Sequence, residues 1–423
     1  MALCHIGDCG PGAALTLCAR IMGIFHTVFV SKWRAVGVLG ITQILAWGAI
    51  HYTPVLMAPH IAAARGWTLA FTMGGFSLGL LVSGLVSPTV GGFIDRFGGH
   101  RVMPIGSLLG AGGLIGIATA THPVVYLAMW VVLGLALSAS LYDPAFATLG
   151  RIFGAAARRP ITLLTFAGGF ASTVSWPATY LLNDSVGWQN TYFIYAGLLA
   201  LVAAPLHASL PRERASAPVV VAADVAPAPA LLLPSRGLNF ILVVSAFAAF
   251  AFVSSGLLAN LLAMFQRHGI EAATAVTIGA LFGPCQVASR LCEFIFARNV
   301  HPLIIARFAA ALLAVAFVML GIFGLSLTVA AAFMILLGLS NGLITIARGT
   351  VPLALFGAAG YGRLLGRIAG PSLIVQASAP LAIAFVAERG SDPLAFGLAF
   401  LFVLVAIACF LLIRRPAPPK PWI

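Results

Sequence analysis

The chain is a succession of long apolar runs separated by short polar breaks. Runs long enough to cross a bilayer lie at 36–58, 70–93, 102–120, 124–149, 161–182 and 191–210, and again at 238–265, 273–296, 303–323, 325–347, 364–386 and 393–413. About twenty helical residues span the hydrocarbon layer of a membrane. The runs lack the strict alternation of a barrel strand, and a segment in lipid must satisfy its own backbone N–H and C=O groups, so each is expected to be a helix. The pattern predicts an all-α membrane protein with twelve transmembrane helices.

The break between the sixth and seventh runs, 211–237, is of another kind: Pro218, Pro227, Pro229 and Pro234 stand among alanines and valines. Such a stretch cannot hold a regular helix throughout and reads as a cytoplasmic linker. It divides the chain into bundles of six helices at 36–210 and 238–413. The halves share a weak likeness: Asp143-Pro144, Arg151, Arg158-Arg159 and Pro177 in one, Val351-Pro352, Arg363, Arg367 and Pro380 in the other. Two pseudo-symmetric bundles of this kind are expected to hold a solute between them near the bilayer midplane.

Composition narrows the class. Hydrophobic residues make up 61% of the chain, charged residues 8%, and the mean hydropathy is +1.06, which excludes a soluble globular domain. The net charge of +13 adds topology. Lys32, Arg34, Arg96, Arg101, Arg151, Arg158, Arg159, Arg212, Arg214, Arg236, Arg298, Arg363, Arg367, Arg414, Arg415 and Lys420 fall on one side of the predicted bundle. Only Arg65, Arg267 and Arg389 fall in loops on the other. Basic residues near span ends are retained in the cytoplasm, so both termini are expected there, in a bacterial-type inner (plasma) membrane. Because the charges are scattered between helices and form no stripe, nucleic-acid binding is not expected.

The ends carry little chemistry. Residues 1–35 read as a cytoplasmic extension and 414–423 as a cytoplasmic tail. The apolar stretch 13–30 contains Arg20 and His26 and runs into Lys32, Trp33 and Arg34 without a cleavage site, unlike a signal peptide; Met22 is an alternative start. Cys4, His5 and Cys9 have poor ligand spacing, so no metal is expected. Cys285, Cys292 and Cys409 sit inside predicted spans as small apolar fillers. Neither a P-loop nor an intramembrane HExxH, nucleophile elbow or acid pair occurs. Neither an ATP-driven pump nor an enzyme is therefore expected, and no cofactor.

One loop concentrates charge: Gly91-Gly92-Phe93-Ile94-Asp95-Arg96-Phe97-Gly98-Gly99-His100-Arg101, between the second and third runs. The pattern GxxxDRxGxxR at this place resembles the signature loop of the major facilitator superfamily of secondary transporters. The resemblance implies that Gly91, Asp95, Arg96, Gly98 and Arg101 belong to a cluster that closes the cytoplasmic side in the outward-facing state and breaks on inward opening. Asp143, an acid inside the fourth run, is costly in lipid unless paired, and Arg96 or Arg101 is the expected partner.

Solute chemistry must come from polar groups within spans. Arg290 in the eighth run has two readings: Glu293, three residues on, neutralises it, or it faces the cavity as a fixed cation for a carboxylate. The stretch Gly283-Pro284-Cys285-Gln286-Val287-Ala288-Ser289-Arg290 is similar to the eighth helix of the monocarboxylate porter and oxalate/formate antiporter branch, which implies that Arg290 contacts the solute's carboxylate. Two departures are plain: Gln286 stands where the porters have a titrating aspartate, and Val55 where they have a lysine. His51 and Asp143 are then the groups left to carry a proton, although a lone membrane histidine is also a common packing residue.

Gln43, Trp47, His51, Tyr52, Tyr142, Asn260, Gln286, Asn341 and Gln376 are the further cavity candidates; interhelical hydrogen bonding is the competing role for each. Trp176-Pro177 and Pro380 mark expected kinks, and Arg348 reads as an interface anchor. The fifth run, Phe166-Ala167-Gly168-Gly169-Phe170-Ala171-Ser172-Thr173, lacks the GPxxGG-type run of drug/proton antiporters. The expected cargo is a small organic anion resembling a monocarboxylate, coupled to a proton or counter-solute and moved by a monomer. The alternative is efflux of a drug-like or metalloid toxicant.

Overall fold

In the computed structural model, residues 32–212 and 237–414 are described. Cys4, His5, Cys9 and nearly all of the expected extension, linker and tail lie outside them. Nine helices are single membrane-length runs: α1 Arg34–Arg65, α2 Leu69–Phe97, α3 Gly99–Thr119, α7 Leu238–Arg267, α8 Ala272–Phe296, α9 Pro302–Phe323, α10 Leu327–Phe356, α11 Tyr361–Arg389 and α12 Asp392–Leu412. A tenth run, Pro123–Ala208, is 86 residues long. Glycines with positive φ, Gly154 at 58° and Gly187 at 80°, turn it twice. It therefore supplies three crossings: α4 over 123–153, α5 over 158–186 and α6 over 188–208. Among the described residues twelve helices result, six on each side of 213–236.

The helices begin where short polar side chains cap them. The hydroxyls of Thr68, Ser326 and Ser391 accept from the backbone N–H groups of Phe71, Val329 and Leu394, satisfying donors that a helix start leaves unpaired. At the other end of α12 the carbonyls lack partners, and Arg307 of α9 supplies them. It donates to Phe410, Leu411 and Ile413 at 2.9, 3.2 and 3.2 Å.

Several helices outrun their predicted spans. α4 continues to Phe153 and α10 to Phe356, nine and eight residues respectively beyond Pro144 and Arg348. Arg348, expected as an interface anchor at a span's end, therefore stands inside the bundle. The same extension moves Asp143 roughly 15 Å away from the end of α4, at 1.5 Å per residue.

Contacts between the halves gather on the arginine-rich face. There α2 and α11 meet through small residues. A Cβ added at Gly91 would lie 2.0 Å from the Gly362 carbonyl oxygen, and one at Gly366 would lie 2.2 Å from the Ser87 carbonyl oxygen. Helix backbones in lipid approach this closely only across such residues. Gly98, at φ 84°, then turns the chain from α2 into α3, a conformation open to few other residues.

Candidate functional site

Between the halves lies a cavity of about 290 Å³. Two helices are irregular where they line it. In α1, Trp47–Tyr52 forms a π-helical segment just before Pro54, which has no N–H to continue the ladder. In α4, Leu141 is extended and separates Pro123–Ser140 from Tyr142–Phe153. Gln43 repairs that break: its amide donates to the Ser140 carbonyl at 2.7 Å and the Leu141 carbonyl at 3.3 Å, while its oxygen accepts from Trp47 Nε1 at 3.1 Å.

The first half contributes an aromatic wall. Trp47 packs edge-on against His51 with centroids 4.7 Å apart and lies 5.1 Å from Tyr142. Tyr142 in turn stacks on Phe146 at 5.3 Å. The second half contributes a hydrogen-bonded chain across three helices: Ser254 of α7 donates to Asn341 of α10 at 3.2 Å, Asn341 to Gln286 of α8 at 3.0 Å, and Arg290 to the same Gln286 oxygen at 3.1 Å. Gln286 thus acts as a neutral clamp that holds Arg290 in place.

Arg290 is 3% exposed, and its Nη1 donates across the interface to the Thr165 carbonyl of α5 at 2.6 Å. Glu293 is not its counter-ion. Arg158, from the opposite half, takes Glu293 at 3.2 Å. Among the described residues no carboxylate forms an ion pair with Arg290, and its Nε has no hydrogen-bond partner. Consecutive glycines make room for the site. A Cβ at Gly168 would fall 2.4 Å from the Tyr142 hydroxyl, and one at Gly169 would fall 2.4 Å from Arg290 Nη1.

Asp143 also lines the cavity, and its partner differs from the expected one. Arg348 of α10 donates to its Oδ2 at 2.8 Å, joining the halves, while Asp143 Oδ1 and Arg348 Nε stay unsatisfied. Arg96 and Arg101 form no ion pair with this half-buried acid; both are exposed, and Arg96 lies over the Phe97 ring at 5.0 Å. The signature-loop acid bridges the halves by itself. Asp95 accepts the backbone N–H groups of Gly362 and Arg363, each at 2.8 Å, so a carboxylate of α2 caps the start of α11. Arg151 donates to the Asp95 carbonyl.

Of the sequence candidates, Arg290, Gln286, His51, Tyr52, Tyr142, Asn341, Gln376 and Trp47 line the cavity, as does Asp143. Gln43 and Asn260 do not. Asn260 donates to the Gly256 and Pro380 carbonyls at 2.9 and 3.1 Å and ties α7 to α11. The Ser255 hydroxyl donates at 2.9 Å to the Gln376 carbonyl, the group that Pro380 deprives of a helical partner. Arg348, Ser254 and Ser255 are cavity residues that sequence reasoning missed. For Arg348 a signal was present: the apolar stretch Val351–Phe356 shows that the helix runs on.

Paired six-helix bundles closed on one face over a polar cavity are the architecture of a membrane transporter. The chain belongs to the major facilitator superfamily, whose sequence profile (Major Facilitator Superfamily) matches residues 38–369. This is a family of transporters and not of enzymes. No curated protein matches the chain in sequence. Solved structures share the fold. The human organic anion transporter MFSD10 (TETRAN) is 18% identical, with a TM-score of 0.69 over 90% of this chain and 99% of its own. The proton:xylose symporter XylE is 12% identical, with a TM-score of 0.70 over 91% and 96%. The E.coli fucose:proton symporter FucP is also 12% identical, with a TM-score of 0.71 over 92% and 100%.

Proposed function

We propose that the chain is a secondary active transporter for a small organic anion resembling a monocarboxylate, moved by alternating access with Arg290 as the anion anchor. One observation carries this reading: a buried guanidinium faces the cavity with no carboxylate partner among the described residues and an Nε donor that makes no hydrogen bond. An always-charged group in a low-dielectric site is strongly stabilised by an incoming anion, and its planar fork matches a carboxylate. At 12–18% identity the likeness to solved transporters carries the fold alone, so the substrate class rests on Arg290.

The charge asymmetry supports a cytoplasmic assignment for the arginine-rich face. With that face closed by Asp95 and the α2–α11 contact, the arrangement corresponds to the outward-facing state. Gln286 cannot titrate, so a proton, if it is the coupling species, falls to Asp143 or His51. Counterflow of labelled carboxylates into proteoliposomes tests the reading. Arg290→Ala abolishes exchange and Arg290→Lys impairs it; undiminished exchange in both variants removes the carboxylate assignment.

A further inference from the structure

A second cavity, of about 500 Å³, opens on the arginine-rich face where the start of α5 meets the end of α8. Arg158, Arg159 and Arg298 line it with a single acid, Glu293. That acid is already held by Arg158, which also donates to the Ala297 carbonyl at 3.0 Å. Arg159 is fixed between two rings, its guanidinium 5.8 Å from Trp33 and 5.9 Å from Phe294. Arg298 is exposed and makes no ion pair among the described residues. The pocket therefore holds two guanidiniums that form no ion pair among the described residues.

Its surroundings identify the occupant. On the same turns of α8, Leu291, Ile295 and Phe296 are 43%, 51% and 81% exposed, an apolar strip on a membrane-spanning helix. A soluble anion would have no use for that strip. A phospholipid would use both parts, its phosphate among the arginines and its acyl chains along the strip, with Trp33 at headgroup depth. We propose that this cavity binds the headgroup of an anionic phospholipid of the cytoplasmic leaflet; the leaflet rests on the charge-based orientation, and nothing here depends on the identity of the transported solute. Because Arg159 comes from one half and Arg298 from the other, the pocket is complete only while α5 and α8 meet on this face. A bound lipid consequently favours the closed arrangement.

The test uses the full chain purified in detergent and native mass spectrometry with added phosphatidylglycerol or phosphatidylcholine. Phosphatidylglycerol adducts are retained and phosphatidylcholine adducts are not. The double variant Arg159→Gln/Arg298→Gln lowers phosphatidylglycerol retention about tenfold or more, from the loss of two headgroup cations. Arg212→Gln, an exposed arginine of the same face outside the pocket, leaves it unchanged. Should the double variant misfold by size-exclusion chromatography, the exposed single variant Arg298→Gln must still lower retention about threefold. Unchanged retention, or an equal loss in Arg212→Gln, overturns the site. Thermal stabilisation by inorganic phosphate equal to that by phosphatidylglycerol, and lost in the same variants, assigns the pocket to a soluble anion and overturns the lipid.

Discussion

Arg158 of the first half holds Glu293 of the second at 3.2 Å, and so leaves Arg290, one turn before Glu293 on the same helix, without a counter-ion among the described residues. The two arginines compete for one acid in sequence but not in space. Arg158 lies beyond the cavity, whereas Arg290 forms part of its wall.

Glu293→Gln distinguishes the two pairings. With Glu293 committed to Arg158, the variant keeps solute affinity within about twofold while weakening an inter-half contact whose acid is buried. Equilibrium binding of the labelled solute reads this out. A several-fold rise in affinity would mean that Glu293 neutralises Arg290 after all.

Asp95→Asn removes the negative charge from the start of α11 while keeping an oxygen that can accept one of the two N–H groups. Charge near a helix N-terminus and charge-assisted hydrogen bonds both favour the carboxylate. Turnover in proteoliposomes is expected to fall about three- to tenfold, with KM little changed, because the residue lies outside the cavity. A shift in KM at constant turnover would place Asp95 in substrate binding.

Asp143 and Arg348 form a pair across the cavity floor, so single and double changes should differ. Asp143→Asn or Arg348→Gln alone strands one charge, at a cost below the about 3–5 kcal/mol of a fully buried pair, since both side chains keep some exposure to the cavity. The double variant Asp143→Asn/Arg348→Gln is expected to have a higher Tm than either single variant. Additive losses in thermal unfolding would show that the two residues act independently.

Gly169→Ala tests how tightly the site is built. The added methyl would stand 2.4 Å from Arg290 Nη1, and that nitrogen's bond to the Thr165 carbonyl must give way. Solute affinity should fall about tenfold, as expected for the loss of one well-made charged hydrogen bond, with expression and fold retained. Wild-type affinity in this variant would show that the guanidinium is not held where binding needs it.

Much of the architecture was legible along the chain. Each of the twelve runs became a helix, because the need to satisfy backbone groups inside lipid acts segment by segment. The signature loop was expected to close one face of the bundle, but which groups its acid meets was not legible: Asp95 binds backbone N–H groups 267 and 268 residues away. No side-chain pattern marks such groups in advance. Arg348 was misplaced because a twenty-residue window ends before this 30-residue helix does. Gln43 and Asn260 were legible as polar residues within spans, though not as partners for the Ser140 and Pro380 carbonyls of other helices.

By itself, then, the sequence determined the class of protein and the number of crossings, since hydropathy is a local quantity that lipid reads one segment at a time. Only the tertiary structure decided which acid each arginine holds. The pairs Arg158–Glu293 and Arg348–Asp143 join residues 135 and 205 positions apart. Those choices depend on the angle and depth at which helices from two bundles meet, and among the described residues they leave Arg290 without an ion pair.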